Sequence, residues 1–361
     1  MPSGRAMSEL GFVIPGDIEL PTGGYTYDRR VLELLPRFGV AARHVALPAG
    51  YPFPTPEVLA QSEAILKALP AAMPILVDGL ALGAMPAELV ARIAQPIIAL
   101  VHHALFLETG LSQAQRQHFH LTEKMALAFA RRVVAVSPAT TAILVDELAV
   151  PRKRIVQASP GTDPAPRAKG TGQPLAILSV GSVVPRKAFD VLVRALAEVK
   201  GIDWRLTIAG SRTLSPEACA SLERAIAETG LAPRIRLLGT LPRPALEALY
   251  EEADLFVLAS LYEGFGMVLT EALARGLPIV CTTGGAAAET VPDAAALKVA
   301  PGDAGALAAA IAQVAGDAGL RRRMGDAAWA AAQGLWRFED TARTIAAVVE
   351  DVVKETSREV P

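Results

Sequence analysis

A rhythm constrains this chain more than any single residue does. Short, continuous apolar runs alternate with longer stretches of helical periodicity, the pattern of repeated β-α units around a buried parallel sheet. In the first half the strand candidates are "LGFVIP" (10–15), "ARHVALP" (42–48), "MPILVDG" (73–79), "QPIIALVHH" (95–103) and "RRVVAVS" (131–137). Helical stretches such as "YDRRVLELLPRFG" and "TEKMALAFA" lie between them. The rhythm stops at "SPGTDPAPRAKGTGQP" (159–174), whose prolines and glycines mark a hinge or linker rather than an element. It resumes with "LAILSVGS" (175–182), "WRLTIAGS" (204–211), "RIRLLGT" (234–240), "ADLFVLAS" (253–260), "LPIVCTT" (277–283) and "ALKVA" (296–300). The expectation is α/β, with two Rossmann-like, doubly wound domains of about six strands each. The first covers 1–160, a linker 161–174 and the second 175–335, while 336–361 carries an amphipathic helix whose placement the sequence leaves open.

With 361 residues, 52% apolar and 20% charged, the chain can fill two cores and is too apolar for disorder. A net charge of −2 gives no electrostatic reason to expect a nucleic-acid partner. The two cysteines, Cys219 and Cys281, stand in no CxxC or Cys/His cluster, so neither a zinc site nor a disulfide framework is expected. The opening "MPSGRAMSELGFVIPG" is too poor in apolar residues for a signal-peptide core or a spanning helix. A soluble, cytoplasmic setting is the expectation.

The densest chemistry lies in "LYEGFGMVLTEALARGLPIV" (261–280). The buried strand "ADLFVLAS" leads into the turn "LYEGFG" and then a helix, "MVLTEALARG", closed by Gly276 and followed by Pro278. A helix starting near Gly266 turns free N–H groups toward the carboxyl edge of the sheet, where such folds bind ligands. Gly264 and Gly266 let a phosphate approach the backbone around Phe265 and Met267. Glu263 at the strand's edge can accept hydrogen bonds from ligand hydroxyls, and Glu271 on the helix suits a vicinal diol such as a ribose. Two carboxylates bracketing an anion site fit a nucleotide sugar. The plainer alternative is a capping acid and a surface helix residue; strand, glycines and helix in this order favour the ligand site over it.

With these residues the segment resembles the donor-binding signature of the retaining GT-B glycosyltransferases of family 4, the glycosyl transferases group 1. The resemblance covers most of the chain. It implies two facing Rossmann-like domains with an interdomain cleft, sugar transfer from a nucleotide-diphosphate donor to an acceptor hydroxyl with retention, and no metal or other cofactor. It assigns Glu263 to sugar hydroxyls and Glu271 to the ribose. "SVGSVVPRKAFDVLVRAL" (179–196) is similar to the family's phosphate-binding strand, loop and helix, with Lys187 on the diphosphate. Alone, Lys187 reads equally as a solvated surface residue. Many members carry Arg directly after the strand's Gly, where this chain has Ser182; Arg186 is the cation that could replace it, its direction unknown. "PTGGYTYDRR" (21–30) resembles the N-terminal glycine loop, which sets Gly23 and Gly24 against donor phosphate and acceptor, or else is an ordinary β-α turn. Tyr25 and Asp28 are further candidates to face the cleft.

In "LVHHALFLETG" (100–110), His102 and His103 end a central strand, where family members often carry a functional His. Neighbours on a strand point to opposite faces, so one of them enters the cleft, and His102 is preferred. Two adjacent His without further ligands are no metal site. Asp78 ends the third strand and either binds acceptor hydroxyls or caps the next turn. Asp163 in "PGTD" reads as structural, and Glu289 in "TTGGAAAETV" as a first-turn helix acid. Asp17 and Glu19 in "GDIEL" come nearest to a metal-binding D-x-D, but no partner carboxylate accompanies them.

The implied mechanism holds the nucleotide on the second domain and stabilises the departing diphosphate with fixed dipoles and cations. Glu263 and His102 would orient the sugar, and the first domain would supply the acceptor. Front-face attack accounts for retention, because no carboxylate is placed as a covalent nucleophile. Closure across 159–174 would exclude water. A sugar phosphorylase or nucleotide-sugar epimerase of the same fold remains an alternative, as does a catalytically silent nucleotide-sugar binder, which Ser182 keeps open. A nicotinamide dehydrogenase is disfavoured, since the first strand leads into "PGDIELPTGG" rather than G-x-G-x-x-G. Base, sugar, acceptor and oligomeric state stay open. Arg29, Arg30, Arg37 and Arg43 are dispersed over the N-terminal region, as a peripheral membrane contact or a solvated face.

Overall fold

The computed structural model describes residues 7–359; the first six residues, part of the stretch weighed above as a leader, and the last two lie outside them. The chain forms two compact domains, residues 1–161 with 336–361, and residues 162–335.

The first domain is built on β1 (Ser8–Pro15), β2 (Val40–Leu47), β3 (Ile75–Asp78), β4 (Ile97–Val101), β5 (Arg132–Ala135) and β6 (Ile155–Gln157). All pairings are parallel, in the order β2-β1-β3-β4-β5-β6. β3 and β4 are buried along their whole length, as the continuous apolar runs require of strands covered on both faces. β6 is missing from the list of strand candidates because three residues after "PRKR" make no run of their own. The winding direction changes between β1 and β3, so ligands are expected outside the carboxyl ends of those two strands.

The second domain repeats the plan with β7 (Leu175–Val180), β8 (Trp204–Ala209), β9 (Ile235–Leu237), β10 (Leu255–Leu258), β11 (Ile279–Thr282) and β12 (Ala296–Val299), all where the sequence places them. The parallel order is β12-β11-β10-β7-β8-β9, with its switch point between β7 and β10. The loops leaving those two strands are the ones that contain Lys187 and Glu263.

Residues 162–174 form no helix or strand, as their composition suggests, but they are not a free spacer. The Ala168 amide donates to the Arg275 carbonyl and the Lys169 amide to the Glu251 carbonyl. The Asp254 carboxylate accepts from Thr171, Gly172 and the Ala176 amide. This segment is therefore part of the second domain.

The C-terminal helix, Phe338–Glu359, belongs to the first domain. It packs on the Gly23–Leu34 helix, β1 and β5 through buried Ala342, Ile345, Val349 and Val352. Thr341 donates to the Ser159 carbonyl, and Arg132 pairs with Glu355. Gly161 passes against the start of this helix, where an added Cβ would stand 2.0 Å from the Phe338 amide nitrogen. Overpacking costs about 1–3 kcal/mol, occasionally more. Gly161→Ala is therefore expected to lower the first domain's unfolding midpoint and to open the C-terminal helix to protease. An unchanged midpoint and digestion pattern would contradict this packing.

Candidate functional site

Glu263, just beyond β10, ties together the loops leaving three strands. Its amide donates to the Gly284 carbonyl (3.1 Å) and its own carbonyl accepts from the Ala286 amide (2.8 Å), past the end of β11. Its buried carboxylate places Oε1 2.6 Å from Lys187 Nζ and Oε2 3.3 Å from Arg186 Nη1, both in the loop after β7. Arg186 also donates to the Tyr262 carbonyl at 2.7 Å and accepts from the Leu261 amide at 2.7 Å. Arg186 thus points at Glu263, the direction the sequence leaves open. Lys187 is only 9% exposed, which rules out the solvated-surface reading.

Burial raises the Glu263 carboxyl, but the charges of Lys187 and Arg186 and the hydrogen bond from Lys187 bring it down to about 2. Burial pulls the Lys187 amine below its usual range, and Glu263 offsets this only in part. Two cations face one carboxylate, so the cluster carries one positive charge in excess. Excess positive charge in a partly desolvated loop is what an anionic ligand such as a diphosphate needs.

Glu271 lies on the Met267–Leu273 helix and is partly exposed. Its Oε2 accepts from the Tyr250 hydroxyl at 2.8 Å. Burial raises its carboxyl above the ordinary range, opposed by the Tyr250 hydrogen bond and by Arg275 and Arg243. Tyr250 is fully buried under the Arg275 guanidinium, and burial holds its phenol well above the usual range, so it stays a donor. No local pattern in the sequence marks Tyr250 as part of the site. Gly266 caps the helix at φ 91°, in the left-handed region that favours glycine. At the other end the Gly276 and Leu277 amides reach back to the Leu273 and Ala272 carbonyls, the termination expected of Gly276. Gly264 and Phe265 form the partly exposed turn between the two carboxylates, Met267 opens the helix, and the Phe265 carbonyl is held by Thr290 Oγ1 (2.7 Å). Ser182 lies in the loop after β7, partly exposed.

The first domain gathers a different group at its own switch point. His102 Nε2 lies 2.9 Å from Asp28 Oδ1, and Asp78 completes a set whose donor atoms all fall within 4.8 Å of one another. Asp28, on the Gly23–Leu34 helix, is fully buried. Asp78 Oδ1 accepts from the Leu80 amide at 2.8 Å, so the capping reading of this residue is realised. Burial and the charge of Asp28 push the Asp78 carboxyl up to about 7, against His102 and the Leu80 amide. Burial pulls the His102 imidazole down, but Asp28 and Asp78 outweigh it and the net shift is upward. The set is close enough to hold an ion.

Gly24 lies over the imidazole, where an added Cβ would come 3.5 Å from His102 Cδ2, and Gly23 is exposed at the helix start. The Tyr25 hydroxyl donates to the Pro15 carbonyl at 2.7 Å; burial and the charges of Asp78, Asp28 and Asp17 raise it to about 12. β4 ends at Val101, so strand alternation does not govern the two histidines. They diverge nonetheless, with His103 Nε2 3.6 Å from the Glu108 carboxylate. Asp17 accepts from the Glu19 amide in a local turn rather than joining a carboxylate cluster. Asp163 pairs with Arg243 at 2.7 Å, a structural role, and Glu289 sits in the first turn of the Ala287–Thr290 helix.

Residues 164–330 match the family described as glycosyl transferases group 1. The D-inositol 3-phosphate glycosyltransferase of Nocardia farcinica is 34% identical over 234 residues, 59% of this chain and 51% of that protein. The MMP alpha-(1->4)-mannosyltransferase of Mycolicibacterium hassiacum is 26% identical over 281 residues, 73% of this chain and 67% of that protein. The chain spans about half the length of the D-inositol 3-phosphate glycosyltransferases it matches, 51% and 44% for two of them. Among solved structures, sucrose-phosphate synthase from Thermosynechococcus elongatus superposes with a TM-score of 0.82 at 22% identity, over 96% of this chain and all of that one. Anabaena Alr3699/HepE in complex with UDP-glucose gives 0.71 at 17% identity, over 98% of this chain and 100% of that one. The fold is that of the GT-B glycosyltransferases.

Two measurements check this geometry. An Asp78 carboxyl at about 7 lies above its unfolded value of about 3.9. Its contribution to stability is complete below the unfolded value and is lost as pH rises through about 7. Asp78→Asn is expected to flatten the fall of the first domain's midpoint between about pH 4 and 7. The part due to Glu123, also pushed up to about 7 by burial, should persist. Parallel curves for variant and wild type would refute the assignment. In the second domain, Lys187→Met leaves Glu263 with Arg186 alone. Its cost is expected near the lower end of the roughly 3–5 kcal/mol for breaking a buried pair. Adding Glu263→Gln should recover most of it in urea unfolding.

Proposed function

We propose that this protein, whose residues 164–330 are a glycosyl transferases group 1 domain, moves a sugar from a nucleotide-diphosphate donor to an acceptor hydroxyl with retention at the anomeric carbon. The observation that carries the reading is the buried Glu263 held between Lys187 and Arg186 at the switch point of the second sheet. A diphosphate arriving there would take over the two cations, and Glu263, released from them, would accept hydrogen bonds from the sugar hydroxyls. The same cations would stabilise the negative charge that grows on the departing diphosphate, the work a metal ion does elsewhere, so no metal is required. Glu271, oriented by the Tyr250 hydroxyl, would hold the ribose diol, and the Gly264–Met267 backbone and Ser182 would border the phosphates.

The first domain's group would serve the sugar and acceptor. Asp28 fixes the ring of His102, which presents its other nitrogen to a substrate hydroxyl. Asp78, Tyr25, Gly23 and Gly24 surround it on the acceptor side. Glycosyl transfer is also what the names of the relatives describe, and UDP-glucose as donor is suggested by the Anabaena complex. The free Cys219 and Cys281 suit a reducing compartment such as the cytoplasm.

The test is a panel of nucleotide sugars scored by the rise in melting temperature, followed by binding and turnover of Glu271→Ala and Lys187→Ala. Each variant is expected to weaken binding of the best donor at least about tenfold, ~1.4 kcal/mol. Turnover should survive EDTA, and the product should keep the donor's anomeric configuration. Undiminished binding by both variants would overturn the site; turnover that requires phosphate in place of an acceptor would make the enzyme a phosphorylase.

A further inference from the structure

No lysine or arginine follows the strands of the first domain at their carboxyl ends. The stretches 16–22, 48–55, 79–82, 102–112, 136–137 and 158–161, which leave β1 to β6 in turn, contain neither residue. In the second domain, by contrast, the loop after β7 delivers Arg186 and Lys187 to Glu263. Acids gather where the cations are missing. Asp17 and Glu19 stand exposed in the loop leaving β1, Asp78 ends β3, and Glu108 lies in the loop leaving β4.

The cations nearest along the chain are committed elsewhere or set back from this edge. Arg29 donates to the Ile18 and Leu20 carbonyls and to Thr26 Oγ1, and Arg30 lies over the Phe338 ring. Beyond the β4 loop the first cation is Arg116, inside the Gln113–Ala128 helix. The amides that open the Gly23–Leu34 helix favour an anion, yet negative charge prevails even there. Tyr25, in the first turn of that helix, feels Asp78, Asp28 and Asp17 together, and with burial they push its phenol up to about 12. A proton on His102 adds one positive charge, which Asp28 matches at 2.9 Å.

Hydrogen-bond supply points the same way as charge. Asp28 Oδ1 meets His102, while its buried Oδ2 has no hydrogen-bond partner among the described residues and lacks a donor. A hydroxyl group brings a donor. A phosphate dianion or a carboxylate brings acceptors alone, with a charge of the same sign as the edge.

We propose that the acceptor is an uncharged polyhydroxyl compound, a saccharide or polyol without phosphate or carboxylate groups, and that Asp17 and Glu19 exclude its anionic counterparts by repulsion. The inference rests on the transfer reaction proposed above and names its acceptor class. Repulsion between exposed charges is screened over about 10 Å at 0.1 M salt, so this selectivity depends on ionic strength, whereas exclusion by size does not.

The test takes the nucleotide sugar that most raises the melting temperature and offers it matched acceptors. Glucose, mannose and myo-inositol are set against glucose 6-phosphate, mannose 6-phosphate and myo-inositol 3-phosphate, at low salt and at about 0.5 M salt. At low salt the best uncharged acceptor is expected to exceed its phosphate at least about tenfold in kcat/KM. Added salt should narrow that ratio. Asp17→Asn with Glu19→Gln, which keeps the acceptor of the local turn, should narrow it at least about threefold, and Asp17→Lys with Glu19→Lys further. Donor binding and melting temperature should stay unchanged in the Asn/Gln variant. A preference for a phosphorylated acceptor, transfer to none of the uncharged ones, or a ratio that neither salt nor the double variants change would overturn the inference. A chain that binds no nucleotide sugar would fail earlier, at the reaction itself, so the melting shift with donor separates the two failures.

Discussion

The carboxyl edge of the second sheet depends on one buried carboxylate. Glu263 would be costly to desolvate alone, and so would Lys187, so neither side chain can occupy its position without the other. That mutual requirement fixes more than two side chains. The loop after β7 is held to the loop after β10 by the Arg186 carbonyl and guanidinium, and the loop after β10 to the one after β11 by the Glu263 backbone and by Thr282. Three loops that a parallel sheet merely brings to one edge are thereby locked into one arrangement before any ligand arrives. A buried ion pair is weak support for stability, because the desolvation it needs offsets its attraction. Its value here is the fixed placement of two cations, which preorganised electrostatic stabilisation requires.

The first domain uses the same topology for the opposite charge. Its switch point collects two aspartates around one imidazole, where the second collects two cations around one carboxylate. A basic edge suits phosphate, and an acid-rich one suits hydroxyl groups, which donate to carboxylates and exchange protons with an imidazole near neutrality. The proposed transfer needs one edge of each kind. Neither sheet order nor strand burial distinguishes the two domains; the residues at the strand ends do.

The strands of the second domain were legible because each is a short apolar run bounded by glycine, proline or charge, and β6 was not because it has only Ile155 and Val156 between the charged "PRKR" and Gln157. The Glu263 to Glu271 segment was legible as strand, glycine turn and helix, down to termination at Gly276. What the sequence could not show was partnership. Lys187 and Glu263 meet only because β7 and β10 are neighbours in the sheet, a pairing that crosses intervening strands. Asp28 shows the reverse case, a residue undervalued although a signal existed. It lies one helical turn beyond Gly24, so a glycine chosen to touch a substrate placed a carboxylate on the same face. Tyr250 had no such signal, since nothing in a single helix says which carboxylate its hydroxyl will meet.

The expected hinge changes most in meaning. Proline and glycine content correctly denied 162–174 a helix or strand, but the Asp254 carboxylate and two backbone carbonyls fasten that stretch to the second domain. On the other side of the boundary, Gly161 lies against the backbone of Arg337 and Phe338, and Thr341 holds the Ser159 carbonyl, so the outgoing and returning chains are fixed together in the first domain. A flexible linker of that length would spread a conformational change over many bonds. The chain crosses between the two domains at 161–162 and 335–336. A change at Gly161 therefore strains the packed backbone of the first domain itself rather than a loose spacer.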